Sequence, residues 1–202
     1  YMVAAQTWGA KNKFSLVAVP LFIFMAMILE RSGVARDLYT MMYLWFGPVG
    51  GGLAIGTVVI CAIFSAMCGI SGAAVVSMGT IALPSMLERN YDKELALGCI
   101  NSGGGWGILI PPSVIMVIYA VQASVSLTDM FLAGLIPGLA FCAFLIVTVA
   151  IMARTGKIDV PPEPRASFRQ VICAGIAALP ALLAPAFLLA GLFLGIATPT
   201  EL

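Results

Sequence analysis

The sequence predicts an all-α polytopic membrane protein, and three observations carry the prediction. Hydrophobic residues make up 61% of the 202 and charged residues only 9%, against roughly 45–50% and about 25% in an ordinary soluble domain. No Asp, Glu, Lys or Arg occurs in Phe14–Leu29, Leu38–Leu87, Leu95–Thr128, Met130–Ala153 or Gln170–Thr200. A helix crosses a bilayer with roughly 20 apolar residues, so four of these tracts are long enough to span, and the first becomes so with a few flanking residues. Finally, glycine and serine clusters interrupt two of the tracts, which marks helices that break inside the apolar zone.

Taken in order, Phe14–Leu29 is a first span, followed by Arg31 and Arg36. The segment Gly51–Leu87 comes next, then Arg89 and Lys93. Leu95–Gln122 and Met130–Ala153 follow, separated by the loop Gln122–Asp129, which has no basic residue. Arg154, Lys157, Arg165 and Arg169 then precede the last tract. Short loops rich in Lys and Arg stay in the cytoplasm. Placing these three basic groups there leaves only Lys11 and Lys13, of the ten basic residues, on the other side. Gly51–Leu87 must then leave the cytoplasm and return to it. As one straight helix it would run roughly 55 Å at about 1.5 Å per residue, and two full spans with a turn do not fit. A re-entrant hairpin does: two helices that meet near the membrane middle at the cluster Cys68-Gly69-Ile70-Ser71-Gly72-Ala73-Ala74.

The tract Leu95–Gln122 carries a second break. Asn101-Ser102-Gly103-Gly104-Gly105-Trp106-Gly107 precedes Ile108-Leu109-Ile110-Pro111-Pro112-Ser113, and helix-compatible residues resume at Val114. The pattern reads as half-helix, glycine loop, half-helix. Unwound backbone in lipid leaves N–H and C=O groups unpaired at several kcal/mol each, so it persists only when buried in protein or lining a wet cavity. Half-helix C-termini offer carbonyls to a cation such as Na⁺, and half-helix N-termini offer amides to an anion. The candidate cation ligands, by backbone or side chain, are Cys68, Gly69, Ser71, Gly72, Asn101, Ser102, Gly103 and Gly104. Ala73, Pro112 and Ser113 are the candidates to face an anionic substrate.

Several chemistries are excluded. With no histidine, imidazole catalysis and His-ligated zinc or haem are absent. Cys61, Cys68, Cys99, Cys142 and Cys173 form no CxxC pair and read as small buried hydrophobes. The GGGWG string follows no strand and has no P-loop lysine, so it is no nucleotide loop. Ser71 has no base beside it, and no enzyme activity is expected. A net charge of +1 gives no reason for a nucleic-acid partner. Gly52/Gly56, Gly134/Gly138 and Gly191/Gly195 read as packing pairs. Glu30 and Asp129 sit at tract ends as boundary markers, too shallow to carry protons across, so sodium coupling fits better than proton coupling.

These residues resemble the large membrane subunit of TRAP transporters, tripartite systems in which a periplasmic binding protein delivers a carboxylate to a sodium-driven permease. The motifs run in order: AVPLFIFMAMILERSGVARDL at Ala18–Leu38, CGISGAAVVSMGTIALPSMLERNYD at Cys68–Asp92, GILIPPSVIMVIYA at Gly107–Ala120, VSLTDMFLAGLIPG at Val125–Gly138 and GIATPTE at Gly195–Glu201. The resemblance implies an ion-transporter-superfamily type repeat with a re-entrant helical hairpin and a broken transmembrane helix, working as an elevator against a scaffold in the bacterial inner membrane. It divides the chain into an N-terminal span and interfacial helix Val34–Phe46 (1–50), a transport part (51–153, with hairpin 51–87, broken helix 95–122 and span 130–153) and a cytoplasmic linker with a scaffold-type span (154–202). In the family, sodium sits where hairpin tip meets broken helix, which carries over to Cys68–Ala73 and Ser102–Gly105. Many relatives have Ser or Thr at the positions of Ala73 and Gly105, so backbone carbonyls would carry more of the coordination here.

The implied function is sodium-coupled import of a small organic anion, of the C4-dicarboxylate or organic-acid class, with no cofactor other than Na⁺ as coupling ion. The implied partners are membrane lipids, the small TRAP membrane subunit and the periplasmic substrate-binding protein. The chain begins at Tyr1, ends soon after an apolar run and lacks the family's second repeat, which reads as a piece of a longer subunit. The alternative expectation is a truncated, repurposed relative serving as a structural subunit of a larger membrane complex, because one repeat cannot enclose a midplane site.

Overall fold

The chain's long apolar tracts become helices that pack around a central three. A computed structural model describes residues 14–47, 50–155 and 168–193, and no strand occurs among them. A short 3-10 turn, Phe14–Val17, leads into α1 (Ala18–Arg31), followed by α2 (Val34–Phe46), α3 (Gly52–Cys68), α4 (Ser71–Glu88), α5 (Lys93–Trp106), α6 (Val114–Ala123), α7 (Leu127–Arg154) and α8 (Phe168–Phe193). By length and composition, 93–123 and 127–154 can each cross a membrane, and α1 with α2 makes a third candidate bent by 62°.

That bend has a local cause. Ser32 Oγ donates back to Leu29 O at 2.8 Å, and Gly33 takes a left-handed conformation at φ 81°, which a side chain would resist. The chain then re-enters as α2, whose Ala35, Leu38, Tyr39 and Met42 form one buried stripe at helical spacing. Arg36, Asp37 and Thr40 lie exposed on its other side. α2 also links two distant parts. Tyr43 lies under the Arg89 guanidinium at 4.6 Å, Trp45 Nε1 donates to Val171 O at 3.3 Å, and the Trp45 ring lies against Gly175.

Helix α3 is buried on nearly every face and forms the core with α4 and α5. The glycine pair Gly52/Gly56 packs as expected: the Phe46 carbonyl occupies the place a Cβ on Gly52 would take, and Met42 lies against Gly56. α3 and α4 form an antiparallel hairpin. Thr57, near the start of α3, lies 3.6 Å from Met86 Sδ near the end of α4, and the tip falls between them at Gly69–Ile70. Thr57 satisfies its buried hydroxyl by donating to Leu53 O at 2.8 Å. After Asn90, at φ 60°, Asp92 caps α5 by accepting from Glu94 N and Leu95 N at 2.8 and 3.1 Å.

Two expectations about this region change. The glycine string does not unwind. α5 stays helical through Trp106, a 3-10 turn covers Gly107–Leu109, and the extended backbone lies at Ile110–Ser113. A glycine costs about 1 kcal/mol in a helix interior, but here close packing offsets that cost. A Cβ on Gly103 would lie 2.8 Å from Cys61 Cβ, and one on Gly104 would meet Val75. The break belongs to the prolines, which lack the N–H and force the preceding residue out of helical geometry.

Glu30 is also not merely a boundary residue. Buried Ser77, in the middle of α4, donates to its Oε1 at 2.9 Å. Glu30→Ala should therefore cost about 1–2 kcal/mol by stranding a buried hydroxyl, and Ser77→Ala in the same background should recover most of it. Thermal unfolding of the two variants in detergent measures the difference.

Candidate functional site

The site is built where the hairpin tip meets the proline break. α3 ends because Gly69 turns left-handed at φ 65°, with its N–H capping Ser65 O at 2.8 Å. Ile70 is extended, and α4 begins at Ser71. Facing this tip, Ser113 is extended and α6 starts at Val114. One backbone hydrogen bond joins the two breaks: Val114 N donates to Gly69 O at 3.3 Å. The approach is close enough that a Cβ on Gly69 would lie 3.0 Å from Pro112 O. Glycine is thus required twice at this position, by its conformation and by its neighbour.

The electrostatics follow from the helix ends. The last carbonyls of a helix and its first amides have no intrahelical partners. Here the C-terminus of α3 and the N-termini of α4 and α6 converge, so carbonyls and amides meet in one small region. Beside them, Ser113 is fully buried and its Oγ has no hydrogen-bond partner. A buried hydroxyl left unpaired costs about 1–3 kcal/mol, which a cation or a substrate group would relieve. Among the described residues no group of three or more Cys, Asp or Glu side chains could hold a metal ion; an alkali cation bound by carbonyls and hydroxyls needs no such group.

The structure distributes the sequence-predicted residues as follows. Cys68, Gly69, Pro112 and Ser113 come together, all buried. Ser71 and Ala73 are half-buried on the first turn of α4, and Gly72 there faces open space. Gly103 lies farther back, against Cys61 and Val58 of α3, and Gly104 lies against Val75 of α4, its carbonyl accepting from Ser65 Oγ at 2.8 Å. Asn101 is exposed, and Ser102 lines a separate cavity of about 490 Å³ with Thr148 and Val149 of α7. Neither is brought to the tip.

Sequence reasoning missed Ser65, Gly107 and Val114. Ser65 and Thr57 are the only hydroxyl residues in α3, and Ser65 lies one turn before the break, which was a usable signal. Gly107 packs onto the Ser65 side chain. Val114 acts through its backbone, which no residue type announces. Gly134 and Gly138 pack α7 against Met116, Leu109 and Ile110, and Trp106 stacks on Phe141 at 4.0 Å, so α7 closes the outer side of the break.

Residues 1–202 match the family model described as Tripartite ATP-independent periplasmic transporter, DctM component. The C4-dicarboxylate TRAP transporter large permease protein of Pseudomonas aeruginosa is 36% identical over 199 residues, which is 98% of this chain and 46% of that protein. The Vibrio cholerae protein of the same description is 38% identical over 188 residues, covering 93% and 41%. The ectoine/5-hydroxyectoine TRAP transporter large permease protein of Ruegeria pomeroyi is 37% identical over 187 residues, covering 93% and 43%. The chain thus spans a little under half the length of each of these relatives.

Proposed function

The chain belongs to the DctM component family of tripartite ATP-independent periplasmic transporters, and on that premise we propose that the whole permease imports a small organic anion, driven by sodium, across the bacterial inner membrane. In this reading the α3–α4 hairpin is re-entrant from the cytoplasmic side, and its tip, with the Ile110–Ser113 break, lies near the membrane middle. The small membrane subunit and a periplasmic binding protein are the partners, the binding protein delivering the anion. The hairpin and broken helix move together as the mobile part of an elevator. The relatives are named for different cargoes, a C4-dicarboxylate and ectoine compounds, which supports the coarse class of small organic solutes that carry a carboxylate.

The single observation that carries the ion assignment is the buried, unpartnered Ser113 hydroxyl at the junction of the two breaks. It supports a cation held by that hydroxyl together with the freed carbonyls at the end of α3, Cys68 among them. The anion would then lie over the amides of α4 and α6, beside Ala73 and Pro112. Ser113, assigned by sequence to the substrate, thus serves the cation.

Ser113→Ala should raise the sodium concentration for half-maximal uptake about tenfold, as one lost ligand of about 1.4 kcal/mol requires. Substrate affinity at saturating sodium should be unchanged. Proteoliposome uptake with the binding protein present reads both, and an unaltered sodium dependence rejects the assignment.

A further inference from the structure

We propose that the corner between α1 and α2 binds an aminophospholipid, one carrying a phosphoethanolamine headgroup. Two cavities meet there and share Arg31 and Ser32. The first, about 510 Å³, lies along α1 beside Phe24, Met27 and Ile28, which are 62%, 52% and 52% exposed. The second, about 540 Å³, is polar, and Glu30, Arg36, Asp37 and Thr80 line it. An apolar surface groove that adjoins a charged one has the polarity of an acyl chain joined to a headgroup.

The charge of the chamber selects the headgroup. Its lining holds two guanidiniums, Arg31 and Arg36, and two carboxylates, Glu30 and Asp37. The α2 N-terminus opens at Gly33, which lines the same chamber, and helix starts favour negative charge. A phosphate with a primary ammonium two carbons away matches both signs: the phosphate on the guanidiniums, the ammonium on the carboxylates. A glycerol headgroup would bring only its negative charge to the carboxylates. A choline headgroup has no N–H to donate to them. A free phosphate compound would leave the apolar cavity unfilled.

The site also touches the hairpin. Thr80 and Ile81 of α4 line the chamber, and Glu30 accepts from Ser77 one turn nearer the tip. A lipid there bridges the α1–α2 corner to the second arm of the hairpin and braces that arm from the lipid side. Arg31 and Arg36 belong to the basic group assigned to the cytoplasm, so the lipid comes from the inner leaflet.

Native mass spectrometry of the whole permease in detergent, titrated separately with dioleoyl phosphatidylethanolamine, phosphatidylcholine and phosphatidylglycerol, tests the proposal. One phosphatidylethanolamine should be retained at about a tenfold lower lipid concentration than either of the others, the gain expected of one charge-assisted pair. The double variant R31A/R36A should lose that retention, and D37N should erase the preference over phosphatidylcholine while remaining monodisperse. If R31A/R36A does not fold, the lipid order of the unmodified protein and the D37N result decide. Equal retention of the three lipids, a preference for phosphatidylglycerol, or an unchanged preference in D37N overturns the proposal.

Discussion

Permease carrying Gly69→Val should lose about a hundredfold in sodium-dependent uptake while still reaching the membrane. Gly69 is left-handed at φ 65°, and its position faces Pro112 O at 3.0 Å and Val114 N at 3.3 Å from a would-be Cβ. The left-handed conformation costs an L-residue roughly 1–2 kcal/mol, more for a β-branched one. The methyls would also push the tip from the break and lengthen the one backbone bond that joins them. Together these amount to about 3 kcal/mol, or roughly a hundredfold at 1.4 kcal/mol per decade. Gly69→Ala should fall between valine and wild type. Gly79→Ala is the control, because nothing lies within 4 Å of its Cβ position. Uptake by the valine variant at near wild-type rates would remove the tip–break junction from the mechanism.

Gly107→Leu should destabilise the helical core by about 3 kcal/mol, the upper end of ordinary overpacking costs. Its Cβ position is filled by the Ser65 side chain, with Ala62 O at 3.2 Å behind it. A leucine there must part the 3-10 turn after α5 from α3 and pull Ser65 from the Gly104 carbonyl. Gly105→Leu, two residues earlier in the same string, meets nothing within 4 Å and should shift stability by less than about 0.5 kcal/mol. Monodisperse yield and thermal midpoint in detergent compare the two. Equal tolerance at both positions would mean that the α3–α5 packing does not hold the core.

This contrast also explains what the sequence could tell. Charge-free tracts, Gly69 and the proline pair are local signals, and they place the hairpin tip and the end of the second break, while its start falls at Ile110 and not at Asn101. The glycines of Asn101–Gly107 were read as a loop because a glycine's purpose depends on what lies opposite. For Gly103, Gly104 and Gly107 the opposing atoms belong to Cys61, Val75 and Ser65, far away along the chain. The same limit hid the Glu30–Ser77 bond, which joins residues 47 apart. Asn101 and Ser102 shared a motif with the glycines but lie on other faces of α5. Helical rotation separates neighbours in sequence, so the motif could not say which of its members reach the tip.

The two sides of the hairpin are joined to the rest of the chain by different kinds of seam. Toward α5 the glycine backbone lies directly on Cys61, Val58 and Val75 of the hairpin, with no room for a Cβ. Toward α8 the link runs chiefly through α2, where Tyr43 lies under the Arg89 guanidinium and the Trp45 indole donates to Val171 O, and buried Ala178 of α8 itself joins the core. A cation–π contact at a partly exposed site is worth about 0.5–1 kcal/mol, and an indole hydrogen bond about as much. They add to the apolar packing of α2 on α3, where the Phe46 carbonyl fills the Cβ place of Gly52. α2 is thus a coupler, through whose two aromatic rings the far end of the hairpin at Arg89 is tied to α8.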